Sequence, residues 1–259
     1  MNKFSFRLLL TLGSGLVLMF IIAPIAGMFI STSASELFTT VKDLEVLKSI
    51  RLTLITSFAA TLFMAIGAIP LAYLLARKKF YLKKLILGII DLPIVIPHSA
   101  AGIAMLGFLS RNSFLGKAAS SVGLDFVGNP IGISAAMAFV SIPFLVNAAR
   151  DGFLSVPERL EKTARSLGAS SARVFFTISV PLAGRSIVSG LVMMFARGLS
   201  EFGAIVIIAY HPMVTPVLIF ERFGSYGLQY ARPVAVVFIL VCLIFFILLR
   251  YISGGKKNA

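Results

Sequence analysis

Arg197 and Glu201 stand four residues apart in a segment that is otherwise free of charge, Ala196-Arg197-Gly198-Leu199-Ser200-Glu201-Phe202-Gly203-Ala204. On a helix that spacing puts both side chains on one face, about one turn apart. An unpaired charge at mid-bilayer costs about 2.5–3.5 kcal/mol on insertion scales, so the two must pair or reach water. A structural ion pair and the lining of a polar path are both open to them. A second cluster is Asp91-Leu92-Pro93-Ile94-Val95-Ile96-Pro97-His98-Ser99, in which Pro93 and Pro97 each remove a backbone donor. At membrane depth the freed carbonyls are tolerated only in a protein interior or a wet cavity, so this segment is expected to face the inside of a bundle. His98, Ser99, Asn147 and Ser200 are the polar candidates left within apolar segments. They can offer an anion modest hydrogen bonds without trapping it, or they can bond neighbouring helices.

Other chemistries lack their residues. His98 and His211 are the two histidines and Cys242 the single cysteine, which excludes a disulfide framework and a Cys-based metal site, and the histidines alone make no metal site. No nucleophile with a base and an orienting group is apparent. The Gly-Lys pairs Gly116-Lys117 and Gly255-Lys256 lack the upstream glycine and the following hydroxyl of a phosphate-binding loop, so no ATP-hydrolysing motif is present.

The elements that must position these residues follow from composition. The chain has 259 residues, 58% hydrophobic and 13% charged, against about a quarter charged in an average soluble domain. Lipid is its expected solvent. Leu8 to Ile30 carries no charge over 23 residues, which as a helix reaches about 35 Å against a hydrocarbon core of about 30 Å. Predominantly apolar stretches over 8–30, 52–76, 85–109, 130–149, 186–209 and 231–251 predict an all-α membrane protein of six transmembrane helices. Lys3 and Arg7 precede the first stretch, but its apolar run exceeds the usual length of about 7–15 residues in a secretory leader, and it reads as a retained anchor.

The net charge of +14 does not point to nucleic acid, because the basic residues lie between apolar runs rather than on one face with interleaved aromatics. Their placement instead sets orientation. The N-terminus, the second and fourth connections and the C-terminus hold 16 of the 24 Lys and Arg, including Lys256 and Lys257 in the tail, while the opposite side holds seven. Retention of positive charge in the cytoplasm then predicts cytoplasmic N- and C-termini.

The connection over about 150–185 is patterned. Ser155-Val156-Pro157-Glu158 reads as a helix start, with Ser155 as cap, Pro157 in the first turn and Glu158 completing a capping box. Val156, Leu160, Ala164 and Leu167 recur at helical spacing, Glu161 and Arg165 form an i,i+4 pair, Gly168 is a natural stop, and a second short helix can start at Ser170 or Ser171. By amphipathicity alone this is a helix lying on the membrane surface.

Residues 161–181, Glu-Lys-Thr-Ala-Arg-Ser-Leu-Gly-Ala followed by Ile178 and Val180-Pro181, resemble the cytoplasmic loop motif of ABC-importer permeases. Ala164, Gly168, the nine-residue gap to Ile178 and Pro181 match; Lys162 replaces the usual glutamate, Thr163 replaces an alanine, and Glu161 lies one position early, as in the molybdate and sulfate branch. With the Leu-Pro-x-Val-x-Pro and Arg-Gly-x-Ser-Glu-Phe-Gly-Ala stretches, the chain resembles the molybdate/tungstate permeases, and the sulfate and thiosulfate permeases next. The resemblance implies a short coupling helix between transmembrane helices 4 and 5 that docks on a separate ATPase through Glu161, Lys162, Ala164, Arg165, Leu167, Gly168 and Ala169. It further implies a translocation path and gate, for which Pro93, Pro97, His98, Ser99, Asn147, Arg197, Ser200 and Glu201 are the candidates. The implied assembly is a homodimer of this chain in membrane lipid, two ATP-binding cassette subunits that hold ATP and Mg, and an extracytoplasmic oxyanion-binding protein. This chain itself would hold no cofactor and bind no nucleic acid. A secondary transporter or channel would explain the polar groups but not the patterned connection, and a membrane scaffold would not call for the proline-broken segment.

Overall fold

The computed structural model of the chain describes residues 3–254, so Lys256 and Lys257 of the basic tail lie outside the described residues. Among the described residues every regular element is helical. In chain order these are α1 (Lys3–Ile30), α2 (Ala34–Lys42), α3 (Leu44–Arg77), α4 (Lys83–Val95), α5 (His98–Leu109), α6 (Phe114–Ser120), α7 (Pro130–Ser155) and α8 (Glu158–Ser166). They continue as α9 (Ser171–Val174), a π-helical turn (Phe175–Ser179), α10 (Val180–Leu199), α11 (Ile205–Ile208), α12 (Thr215–Tyr226) and α13 (Leu228–Gly254). Helices α1, α3, α7 and α13 and the run Ser171–Leu199 are long and apolar enough to cross a membrane; α4 and α5 make a sixth crossing only when taken together.

The third expected span is therefore not one helix. α4 and α5 meet at a bend of 112° across Ile96 and Pro97. Their 13 and 12 residues reach only about 20 Å each, less than the bilayer core. Pro97, the N-cap of α5, has no N–H to continue the ladder. Within the single chain this pair packs on the main core along one side: Ala101 belongs to it, Pro93 is buried, and Ile86, Ile90, Met105 and Leu106 lie against it, whereas Leu85, Ile89 and Val95 are exposed.

The core forms where α3, α7 and α10 pack, around Leu75, Met137, Leu145, Phe153 and Met194. Small residues let these helices approach. A Cβ on Gly152 would stand 2.5 Å from the Ser186 Cβ, and one on Gly190 would stand 2.9 Å from the Ala148 Cβ. In lipid, where apolar burial between helices contributes little, such close backbone packing supplies much of the attraction.

The expected ends of two spans also move. Asn129 caps α7, its side chain accepting from the Ile131 N–H with Pro130 in the first turn, and the helix continues to Ser155, well into the expected connection. The fifth span starts earlier, at Ser171, and stops at Leu199 rather than 209. Glu201 therefore sits in a turn beyond the helix end, where its Oε1 accepts from the Ala204 N–H at 2.8 Å.

The connection between α7 and α9 differs from the expected capping box. The Ser155 hydroxyl donates back to the Gly152 carbonyl at 2.7 Å as the last turn of α7, and Pro157 is the N-cap of α8 with no side-chain bond. Glu158 instead faces Lys162 at 3.4 Å, and with Glu161 it places negative charge at the positive end of the helix dipole. The stop at Gly168 matches the expectation. Its φ of +85° allows the Ala169 N–H to reach the Ala164 carbonyl (3.0 Å) and its own N–H to reach Arg165 (2.9 Å), the Schellman closure. Ser170 then caps α9, accepting from the Arg173 N–H at 3.2 Å.

Candidate functional site

Two carboxylates, Glu201 and Glu161, are each 1% exposed and lie near opposite ends of α10. Burying a carboxylate is costly unless donors surround it, so its partners define each site.

At Glu201 the broken span and the fifth span meet. His98, the first residue of α5, brings Nδ1 within 2.7 Å of Glu201 Oε2, and Arg197 Nη2 lies 3.0 Å from the same oxygen. Arg197 Nη2 also stands 2.9 Å from His98 Nε2 and 2.8 Å from Nδ1. One imidazole nitrogen cannot both donate and accept. Donation from Nδ1 to Glu201 leaves Nε2 to accept from Arg197. The expected Arg197–Glu201 pair thus forms with a third member, fixed by packing in which a Cβ on Gly203 would lie 2.6 Å from the His98 Cβ. Arg197 is 22% exposed and His98 39%, so both reach outward from the buried carboxylate. Ser200 is exposed and lies 3.3 Å from Arg197 Nη1; Pro97 and Ser99 are exposed at the break. These groups form one polar edge, which can offer donors to an anion.

Asn147 is not part of that edge. Its amide donates to Asp91 Oδ1 at 2.6 Å, joining α7 to α4. Of the two uses open to it, the structure shows a bond between neighbouring helices.

At the other end of α10, Glu161 is the buried residue of α8. Its Oε1 accepts from Arg77 Nη2 at 2.7 Å, Arg77 Nε at 2.9 Å and Ser179 Oγ at 2.9 Å. Its Oε2 accepts from Tyr73 Oη at 3.0 Å and Arg165 Nη2 at 3.3 Å. Burial works to raise the Glu161 carboxyl, but the donors Arg77, Ser179 and Tyr73 and the Arg77 charge outweigh it and hold the carboxyl below its ordinary range. Glu161, grouped above with the docking residues, thus turns inward. Lys162, Arg165, Leu167 and Gly168 are exposed, and Ala164 and Ala169 half-buried. The apolar spacing from Val156 to Leu167 does not make a buried stripe: Val156 is buried, but Leu160 and Leu167 are 42% and 83% exposed.

Sequence reasoning missed Tyr73, Arg77 and Ser179. Arg77 counted there only as one of the basic residues, and no spacing joins positions 73, 77, 161 and 179. The Asp91–Asn147 bond carried no signal beyond two polar residues in apolar runs.

A multi-helix chain with a broken span, a charged cluster at the break and a small exposed helix between two long ones has the form of a membrane transport component, an integral multi-pass protein of the cell membrane. The chain belongs to the family described as binding-protein-dependent transport system inner membrane component, whose profile matches residues 68–257, and it is a permease of the ABC transporter class. It is 43% identical to the molybdate/tungstate transport system permease protein WtpB of Pyrococcus abyssi, over 99% of both chains. It is 32% identical to the probable sulfate transport system permease protein cysT of Chlorokybus atmophyticus, over 78% of this chain and 72% of that one. Its fold is similar to that of a bacterial ABC transporter involved in the import of the acidic polysaccharide alginate, with a TM-score of 0.76, 20% identity and coverage of 99% and 98%.

Proposed function

We propose that this chain is the transmembrane permease subunit of an ATP-driven importer for molybdate or tungstate. The observation that carries the substrate is the 43% identity to the molybdate/tungstate permease over 99% of both chains; the relatives named for sulfate are more distant. Two copies of the chain, with cytoplasmic termini, enclose the path in the lipid. An extracytoplasmic binding protein delivers the oxyanion, and two separate ATP-binding subunits, holding ATP and Mg, dock on α8. Exposed Leu160 and Leu167 support that docking, since an apolar patch on a polar helix is suited to a protein partner. His98, Arg197 and Ser200, with Pro97 and Ser99 at the break, line the gate. Glu201 stays out of contact with the ion and orients His98 and Arg197.

The test is uptake into vesicles containing the complete complex. Molybdate and tungstate should enter only with ATP and compete with each other, while sulfate in excess should compete weakly. Uptake without ATP, or a preference for sulfate, refutes the reading.

A further inference from the structure

Building on the proposed docking of α8, we infer that Glu161 is a positioning residue that clamps α8 to the ends of α3 and α10, so that displacement of α8 moves the membrane helices with it. α8 has nine residues, short connections on both sides, and its one leucine, Leu160, exposed, as is Leu167 just beyond its end. Apolar burial therefore does little to hold it. Glu161 is its buried side chain, and the carboxylate gathers donors from three places: Tyr73 and Arg77 on α3, Arg165 on α8 itself, and Ser179 at the entry to α10.

The surroundings make this junction stiff. Arg77 Nη2 also donates to the Val156 carbonyl at 2.9 Å, bracing the segment just before α8. The Tyr73 ring meets Phe153 of α7 at 5.2 Å and Phe175 at 5.0 Å between centroids, both edge-on. Phe175 and Ser179 bound the π-helical turn, which brings the Ser179 hydroxyl to the carboxylate; such turns interrupt α-helices frequently at functional sites. Farther along, the Ser57 hydroxyl donates to the Phe195 carbonyl at 2.8 Å, so α3 and α10 are joined again near Arg197 and the break. Parting this buried pair would leave the Glu161 carboxylate uncompensated, so the junction resists separation of α8 from α3. Displacement of α8 thus reaches the turn that carries Glu201 through helices tied at both ends.

The experiment uses the complete complex in vesicles and a Cys242→Ser background. Arg77→Cys with Glu161→Cys removes the clamp, and a short bifunctional methanethiosulfonate restores a covalent tie between α8 and α3. The unlinked double variant should consume about tenfold more ATP per oxyanion moved, and linking should bring the ratio back toward the parent. A parent-like ratio before linking, or transport arrested by linking, overturns the clamp, the latter because α8 would then have to move against α3. Amide exchange over residues 158–166 gives a readout independent of cargo and ATPase. Glu161→Gln should raise exchange there relative to the rest of the chain, and unchanged exchange overturns the clamp. Parent vesicles without ATP-driven uptake would refute the transport reading, and exchange would then decide the clamp alone.

Discussion

Glu201 Oε2 lies 2.7 Å from His98 Nδ1, a contact that ties the first residue of α5 to the turn following α10. The pair joins the proline break to the charge-bearing span at a point where both backbones leave helical geometry. Arg197 completes the site from the last turn of α10, so positive charge, imidazole and carboxylate are held by one another.

Removing a single member should cost more than removing the compensating pair. Glu201→Ala strips the acceptor from His98, Arg197 and the Ala204 N–H together, and a broken buried pair typically costs about 3–5 kcal/mol. Arg197→Ala should cost a comparable amount, because it leaves the 1% exposed carboxylate with His98 and the Ala204 N–H as its remaining donors. Thermal unfolding of the purified complex across a double-mutant cycle measures the coupling. Additive effects would show that the residues do not interact. Loss of uptake in a stable Arg197→Ala complex, unrestored by removing Glu201 as well, assigns Arg197 to the substrate.

Cysteines introduced between 93 and 99 should divide by position. Pro97→Cys and Ser99→Cys, at exposed sites, should react with polar thiol reagents in a Cys242→Ser background, at rates that change with nucleotide, while Pro93→Cys at a buried site should not. Equal labelling of all three in every state contradicts the gate assignment.

Gly168 should be sensitive to backbone rather than size. A Cβ there meets nothing within 4 Å, yet φ is +85°, a conformation costing an ordinary L-residue about 1–2 kcal/mol. Gly168→Val should therefore fray the end of α8 and loosen the coupling of ATP hydrolysis to uptake, with Gly168→Asn milder. Equal coupling in both variants and the parent contradicts this.

Gly152 offers a suppressor test. Gly152→Ala puts a methyl 2.5 Å from the Ser186 Cβ, and overpacking of this kind costs about 1–3 kcal/mol. Ser186→Gly removes the clashing atom and should recover most of the lost thermal stability. Measured against Ser186→Gly alone, a double variant that shows the full Gly152→Ala loss contradicts a clash with the Ser186 side chain.

Acidification should loosen α8 selectively. The folded Glu161 carboxyl titrates below its unfolded counterpart, so its stabilisation is fully present above the unfolded carboxylate value of about 4.3 and is lost as pH falls through the lower folded value. Amide exchange over 158–166, corrected for intrinsic rates, should accordingly rise at acid pH in the parent. Glu161→Gln should flatten that dependence, and a parallel rise in both proteins would assign it to other carboxylates.

Class was legible because lipid imposes a one-dimensional rule. Long charge-free runs must become helices, since backbone groups have no water to bond, and Leu8 to Ile30 states this without any neighbour. Gly168 and Ser170 were legible for a similar reason, as their effects are confined to a turn of backbone. The Arg197–Glu201 pair was visible because its members are four residues apart. Span ends were not, because hydropathy does not mark them: α7 runs on through Arg150 and Asp151 to Ser155, and α10 stops at Leu199 inside an apolar stretch, where Glu201 bonds His98 of another helix. Only the tertiary structure decided which way Glu161 faces. Its helix could turn the carboxylate outward to a partner or inward to Arg77, and the choice depends on donors 84 residues earlier and 18 residues later in the chain, brought together by α3 and α10. The place of His98 in the Glu201 site was decided in the same way: 103 residues separate them, and the 112° bend sets α5 where the imidazole meets the carboxylate. Helix formation in lipid is a local response to solvent, whereas pairing a buried charge is a long-range condition that only the assembled helices can meet.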